Sequence, residues 1–109
     1  MKLIQQKCTP GTKLKPLSQE QYYPFLKEVA GWKVVNSTRL EKEFSFRSFK
    51  VAMDFLNTLA KLAEKEQHHP DFHLYGWNNV NVSLSTHAVG GLSKNDFILA
   101  AKVERMMKK

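Results

Sequence analysis

Residues 80–85 constrain the fold of this chain more than any other stretch. Val80, Val82 and Leu84 alternate with Asn81, Ser83 and Ser85. Successive side chains of a strand point to opposite faces, so this segment has one apolar face and one polar face. Such a strand belongs in a sheet that covers a core on one side and meets solvent on the other, as antiparallel sheets do.

Other segments supply the rest of that sheet. Residues 32–35 and 39–47 read as two strands joined around Asn36, Ser37 and Thr38. In the second of these, Leu40, Phe44 and Phe46 share one face, and Glu41, Glu43 and Ser45 share the other. Lys42 interrupts the apolar face and is expected at the sheet margin, stem packed and amine in water. Residues 71–77 form a further predicted strand, with Asn78 and Asn79 as its turn.

Three helices are predicted around these strands. Ser18 followed by Gln21 makes a capping box, with Leu17 and Tyr22 as a hydrophobic staple. Tyr22, Phe25, Leu26 and Val29 fall on one helical face, and Gly31 is the expected terminator. Pro24 removes a backbone donor and crowds the carbonyl of Glu20, so a kink or a late start is expected. The main helix covers 48–66. Phe49, Met53, Leu56, Ala60 and Ala63 form one apolar stripe on it, and Phe55, Leu59 and Leu62 a second. The second stripe is expected to serve a subunit interface, with contact to the first or last helix as the alternative. A last helix starts at Ser93 with Asp96 as the acidic capping partner. Phe97, Ile98, Ala101 and Val103 are its apolar contacts, and Arg105, Lys108 and Lys109 suit its C-terminal dipole.

The resulting order is α-β-β-α-β-β-α. The expected fold is α+β: a four-stranded antiparallel sheet with helices packed on one face. A chain of 109 residues makes one domain with a modest core. Residues 15–109 are assigned to that domain and 1–14 to a loosely held N-terminal arm.

Composition narrows the function. One cysteine, Cys8, cannot form an internal disulfide, which points to a reducing compartment, and the cytoplasm is the expected location. No apolar run is long enough to span a bilayer, so no membrane association is expected. The net charge of +7 permits weak attraction to polyanions. The lysines are scattered and no recognition-helix or finger pattern accompanies them, so nucleic acid is not an expected partner.

The residues that carry chemistry are histidines. His68, His69 and Pro70 stand where the main helix pattern ends, and His87 follows the clearest strand. Histidine alone has an unperturbed pKa that puts both protonation states within reach near neutrality, which suits general acid–base work. The bland alternative is ordinary helix-terminal capping by His68 and His69. Glu64 lies four residues before His68 and shares a face with it if the helix reaches that far. His68, His69, His73 and His87 could ligate a metal. Yet adjacent histidines seldom bind one ion, and neither Cys-x-x-Cys nor His-Glu-x-x-His spacing is present, so no metal is expected. There is no nucleophile elbow and no glycine-rich phosphate loop.

The spacing of these residues resembles a known family. Glu64, then His68-His69-Pro70, an aromatic at Trp77, His87 ten residues on and Asp96 nine further are similar to the signature of the pterin-4a-carbinolamine dehydratases. The likeness extends to Ser85-Thr86-His87, Gly91-Leu92-Ser93, the Leu17-Ser18 helix start, Gly31-Trp32 and the Phe44/Phe46 strand leading into Phe49, over about residues 15–107. Phe72 stands where mammalian members carry tryptophan, and one extra residue separates Pro70 from Trp77.

The resemblance implies dehydration of 4a-hydroxytetrahydrobiopterin to quinonoid dihydropterin, in recycling of the tetrahydrobiopterin used by an aromatic amino acid hydroxylase. It implies no cofactor. His68, His69 and His87 would be the catalytic residues, His68 and His87 as the acid–base pair and His69 chiefly positioning substrate while assisting proton transfer. Glu64 and Asp96 would orient the imidazoles. Thr86 and the backbone around Ser85 would hold the pterin edge, and Phe72 or Trp77 would wall the pocket. Assembly as a homodimer or homotetramer is also implied. The alternatives are a non-catalytic oligomeric interaction module, a transcriptional dimerisation cofactor, or the same site working on a pterin of molybdenum-cofactor or folate metabolism.

Overall fold

A computed structural model describes residues 2–9 and 14–107. Helices α1 (Gln19–Leu26), α2 (Phe49–Glu66) and α3 (Lys94–Met107) alternate with strands β1 (Lys33–Val35), β2 (Arg39–Ser45), β3 (Asp71–Tyr75) and β4 (Asn79–Leu84). The expected α-β-β-α-β-β-α order is therefore observed. All strand pairs are antiparallel, in the spatial order β1-β2-β4-β3.

The clearest alternating segment is β4, a central strand of the sheet. Val80, Val82 and Leu84 are fully buried, beside Leu40 and Phe44 of β2. They share one core with Phe55, Leu56 and Leu59 of α2 and Phe97, Ile98, Leu99 and Val103 of α3. The opposite sheet face is polar. There Tyr75 Oη donates to Glu43 (2.6 Å), Asn81 donates to the same carboxylate (3.2 Å), and Ser45 donates to Asn79 (2.8 Å).

Several local expectations are corrected. The capping box of α1 is complete, with Ser18 Oγ accepting from Gln21 N–H and Gln21 Oε1 from Ser18 N–H. The helix thus starts on time despite Pro24, and it stops early, at Leu26 rather than near Gly31. Gly31 instead has φ +87°, and a Cβ there would lie 2.9 Å from Lys42 Nζ. Lys42 does not hold its amine in water. It pairs with Glu104 of α3 at 2.7 Å and donates to the Ala30 carbonyl at 3.3 Å, while Trp32 Nε1 donates to the same Glu104 oxygen at 2.9 Å.

On α2 the inward stripe is Ala52, Phe55, Leu56, Leu59, Ala63 and Glu66. Phe49 is 55% exposed and Ala60 is also exposed, so of the first stripe read from sequence only Leu56 and Ala63 are buried, with Met53 packed at the edge of the core. Phe55 and Leu59, expected at a subunit interface, serve the core of this chain. Strand β3 ends at Tyr75, and its turn is Gly76, Trp77 and Asn78 rather than Asn78 and Asn79.

The described part of the N-terminal arm is tied down. Leu3 is fully buried, in a short 3-10 turn (Leu3–Gln5) packed on α3, and its N–H donates to Glu28 (3.2 Å). Burial of a leucine of this kind stabilises by about 1.5–3 kcal/mol, which outweighs the loose tethering expected from the mixed composition. No edge strand forms among the described arm residues. Lys108 and Lys109, expected near the α3 dipole, lie outside the described residues.

Three segments meet at one end of the sheet. Asp71 pairs with Ser83, so the residues before β3 lie beside those after β4. A bridge between Thr86 and Gly91 then folds the chain back into α3. These connections bring residues 67–70, 85–88 and 93–96 together.

Candidate active site

Helix α2 ends at Gln67, whose left-handed backbone (φ 52°) reverses the chain. The N–H of His68 closes back onto the Ala63 carbonyl at 3.2 Å, satisfying a terminal acceptor that the helix cannot pair internally. This reversal decides which carboxylate each histidine meets. Glu64 does not reach His68, as an extended helix would require. Its Oε2 lies 2.5 Å from His69 Nε2 instead, and the pair is exposed. His68 turns inward, and its Nε2 lies 2.6 Å from Asp96 Oδ1.

Asp96 is fully buried at the start of α3, and every contact holds it as an acceptor. Its Oδ2 accepts from Thr86 Oγ1 and from Ser93 N–H, each at 2.9 Å. Thr86 Oγ1 also lies 2.7 Å from Ser93 Oγ. The acidic half of the expected α3 capping box is thus present, while the Ser93 hydroxyl is turned to Thr86. An ionised Asp96 accepts from His68 Nε2–H, which leaves Nδ1 as the nitrogen available for proton exchange. The Glu64 contact leaves His69 Nδ1 similarly open.

His68, His69 and His87 line one cleft of about 240 Å³ with Thr9, Leu14, Gln67, Ser85, Thr86, Ala88 and Asn95. This volume is a little below the range of about 300–1,000 Å³ for drug-sized ligands and suits a compact bicyclic heterocycle. His87 sits in a 3-10 turn (His87–Val89), exposed, with no hydrogen-bond partner for its ring among the described residues. Its ring is open to solvent, whereas that of His68 is held by Asp96.

Of the remaining sequence candidates, Ser85 and Thr86 line the cleft, and Pro70, Phe72 and Trp77 do not. Thr86 lines the cleft, but its hydroxyl is committed to Asp96 and Ser93. Pro70 is half-buried and leads the chain from His69 into β3. Phe72, on β3, is 51% exposed and is not part of the cleft wall. Trp77 is 60% exposed, in the turn at the opposite end of the six-residue β4 from Ser85, roughly 20 Å away at the rise of a strand. His73 points from β3 to the polar sheet face, with its ring 5.3 Å from that of Tyr75. Among the described residues, no group of three or more His, Cys, Asp or Glu side chains could hold a metal. No helix there is long and apolar enough to cross a membrane.

Sequence reasoning missed Thr9, Leu14, Gln67 and Asn95. Only Asn95 carried a usable signal, as the neighbour of Asp96 in the first turn of α3.

Comparison with known proteins shows the family. Residues 15–106 match the family model described as pterin 4 alpha carbinolamine dehydratase. The chain is 41% identical over 109 residues to pterin-4-alpha-carbinolamine dehydratase 2, mitochondrial, of Arabidopsis thaliana, and it spans 58% of that longer protein. It is 43% identical to a protein of Alkaliphilus metalliredigens that carries the same dehydratase name provisionally, with 94% of each chain covered. Among solved structures, a transcriptional coactivator/pterin dehydratase from Brucella melitensis superimposes with TM-score 0.79 at 29% identity, covering 84% of this chain and 98% of that one. A pterin dehydratase-like protein described as a RuBisCO assembly factor in the alpha-carboxysome gives TM-score 0.61 at 26% identity, covering 75% and 95%. The match over residues 15–106 and the relatives near 40% identity show that this chain belongs to the pterin-4a-carbinolamine dehydratase family, whose named members are hydro-lyases.

Proposed function

We propose that the chain dehydrates 4a-hydroxytetrahydrobiopterin to quinonoid dihydropterin, by proton transfer through His68 and His87, in the recycling of tetrahydrobiopterin. The observation that carries this reading is the convergence of three histidines from two separate segments on one cleft, one of them fixed by a buried carboxylate. The N5 lone pair expels the 4a oxygen, the C4a–O bond breaks and C4a=N5 forms. One imidazolium protonates the departing hydroxyl, which leaves as water. One neutral imidazole takes the N5 proton, so the two rings together return to their starting charge once a proton passes between them. Proton transfer by positioned groups of this kind contributes about 10²–10⁴-fold in rate. His69, held at the cleft mouth by Glu64, serves substrate orientation. The backbone around Ser85 serves the pterin edge, since the Thr86 N–H and carbonyl are already paired with Gly91 and Val89.

The natural partner is an aromatic amino acid hydroxylase, the source of the carbinolamine, and the proposed compartment is the cytoplasm. We also read the chain as a homodimer or homotetramer, since Phe49 and half-buried Met53 and Leu62 leave apolar surface on α2 beyond what its own core covers. The reading is tested by adding the chain to an aromatic amino acid hydroxylase that runs on limiting tetrahydropterin with a quinonoid dihydropterin reductase. Steady-state turnover should rise, and an unchanged rate while dehydration limits the cycle contradicts the assignment.

One relative is described as an assembly factor, which supports a binding role as the second reading. Retention of His68, His69 and His87 with Glu64 and Asp96 favours catalysis in this chain.

A further inference from the structure

The end of the described N-terminal segment is bound at two points that flank the His68–Asp96 pair. Cys8 N–H donates to Glu66 Oε1 at 2.9 Å. Thr9 N–H donates to Asn95 Oδ1, and Asn95 Nδ2 donates to the Thr9 carbonyl, each at 2.8 Å. Glu66 lies two residues before His68, and Asn95 immediately precedes Asp96. Both anchors are buried, Asn95 at 2% exposure and Glu66 at 6%. The Asn95 amide uses both its ends on the backbone of one residue, as a neighbouring strand would. A buried amide spent this way fixes the position of Thr9 rather than merely tolerating it. Thr9 and Leu14 then line the same cleft as the three histidines.

We propose that the N-terminal segment is a wall of the substrate site and that Asn95 is a positioning residue for it. Asn95 holds Thr9 so that Thr9 retains the pterin against the histidines, and neither residue takes part in proton transfer. The choice of a pterin as ligand rests on the dehydratase reading. The wall itself rests on the two anchors and the cleft they complete.

The test uses the full chain and 7,8-dihydropterin, a ligand that cannot lose water. Hydrogen–deuterium exchange of the wild type with and without this probe should show slowed exchange at residues 2–9 together with residues 85–88. Asn95→Ala should weaken dihydropterin binding and raise KM for the carbinolamine by about tenfold, with kcat within about twofold and its pH profile unmoved. Exchange slowed at 85–88 but unchanged at 2–9 overturns the wall, and that measurement does not depend on whether the variant folds. A folded Asn95→Ala variant with unchanged KM, or with a lower kcat and a moved pH profile, also overturns it. If no segment slows, the pterin reading fails and this proposal fails with it, whereas slowed segments without turnover strike the dehydratase reading alone.

Discussion

His68 and His69 are adjacent in sequence, yet they occupy opposite electrostatic situations. His69 and Glu64 are 60% and 72% exposed, and an exposed pair of this kind is worth roughly 0–1 kcal/mol. Asp96 is fully buried, and three donors converge on it. Hydrogen bonds to a buried charge are worth about 1.5–3 kcal/mol each. The Asp96→Asn variant keeps the shape and loses the acceptor that dictates the His68 tautomer. It should lose about 1.5–3 kcal/mol of stability and about ten- to a hundredfold in kcat, as followed by chemical denaturation and single-turnover kinetics. A kcat within twofold of wild type would remove His68 from the mechanism. The family signature contains both carboxylates but does not say which histidine each one serves. That assignment depends on one left-handed residue, Gln67, a conformation more often supplied by glycine or asparagine.

At the scale of elements, the buried Glu66 joins α2 to α3 and to the N-terminal segment. Lys102 Nζ donates to its Oε2 at 2.6 Å, and Cys8 N–H to its Oε1. Burial alone would raise the Glu66 pKa, but these donors outweigh it and hold the carboxyl below its ordinary 4.5. The same surroundings push the Cys8 thiol up to about 12, chiefly through burial and then through the Glu66 charge, so the sulfur stays protonated at neutral pH. For Glu66, the folded chain binds the proton less readily than the unfolded chain. Its contribution is therefore fully present above about pH 4.5 and is lost as pH falls through the lower folded value. The Glu66→Gln variant should be destabilised by roughly 1–3 kcal/mol near neutrality and should lose part of the acid sensitivity below pH 4.5, as read by denaturation at several pH values. An unchanged slope of stability against pH would show that other carboxyls carry that sensitivity.

Element existence was legible because it depends on local rules. The Ser18/Gln21 box, the β4 alternation and the α3 start each follow from residues close in sequence. Their ends and faces depend on distant residues. Lys42 was misplaced because its partner, Glu104, lies 62 residues away. The inner stripe of α2 includes a glutamate because Lys102 and Cys8 satisfy it, which no periodicity can reveal. Trp77 lies away from the histidine cleft because it belongs to the β3–β4 turn, at the far end of β4 from Ser85, a separation set by strand pairing rather than by spacing from the histidines.

Across the whole molecule, a small sheet positions three segments at one end and leaves its polar face open to solvent. The helices do not merely cover the core. The C-terminal end of α2 delivers His68 and His69, and the first turn of α3 delivers Asp96. The N-terminal segment then joins the same two elements. The molecule is thus a frame for one histidine cleft, for which we propose dehydration of a pterin carbinolamine. Stopped-flow absorbance of enzymatically generated 4a-hydroxytetrahydropterin tests it most directly, with wild type and with His87→Ala. Wild type should speed dehydration well above the spontaneous rate, and the substitution should remove most of that gain, about a hundredfold. A folded wild-type protein that leaves the spontaneous rate unchanged, or a His87→Ala variant as fast as wild type, would contradict the account.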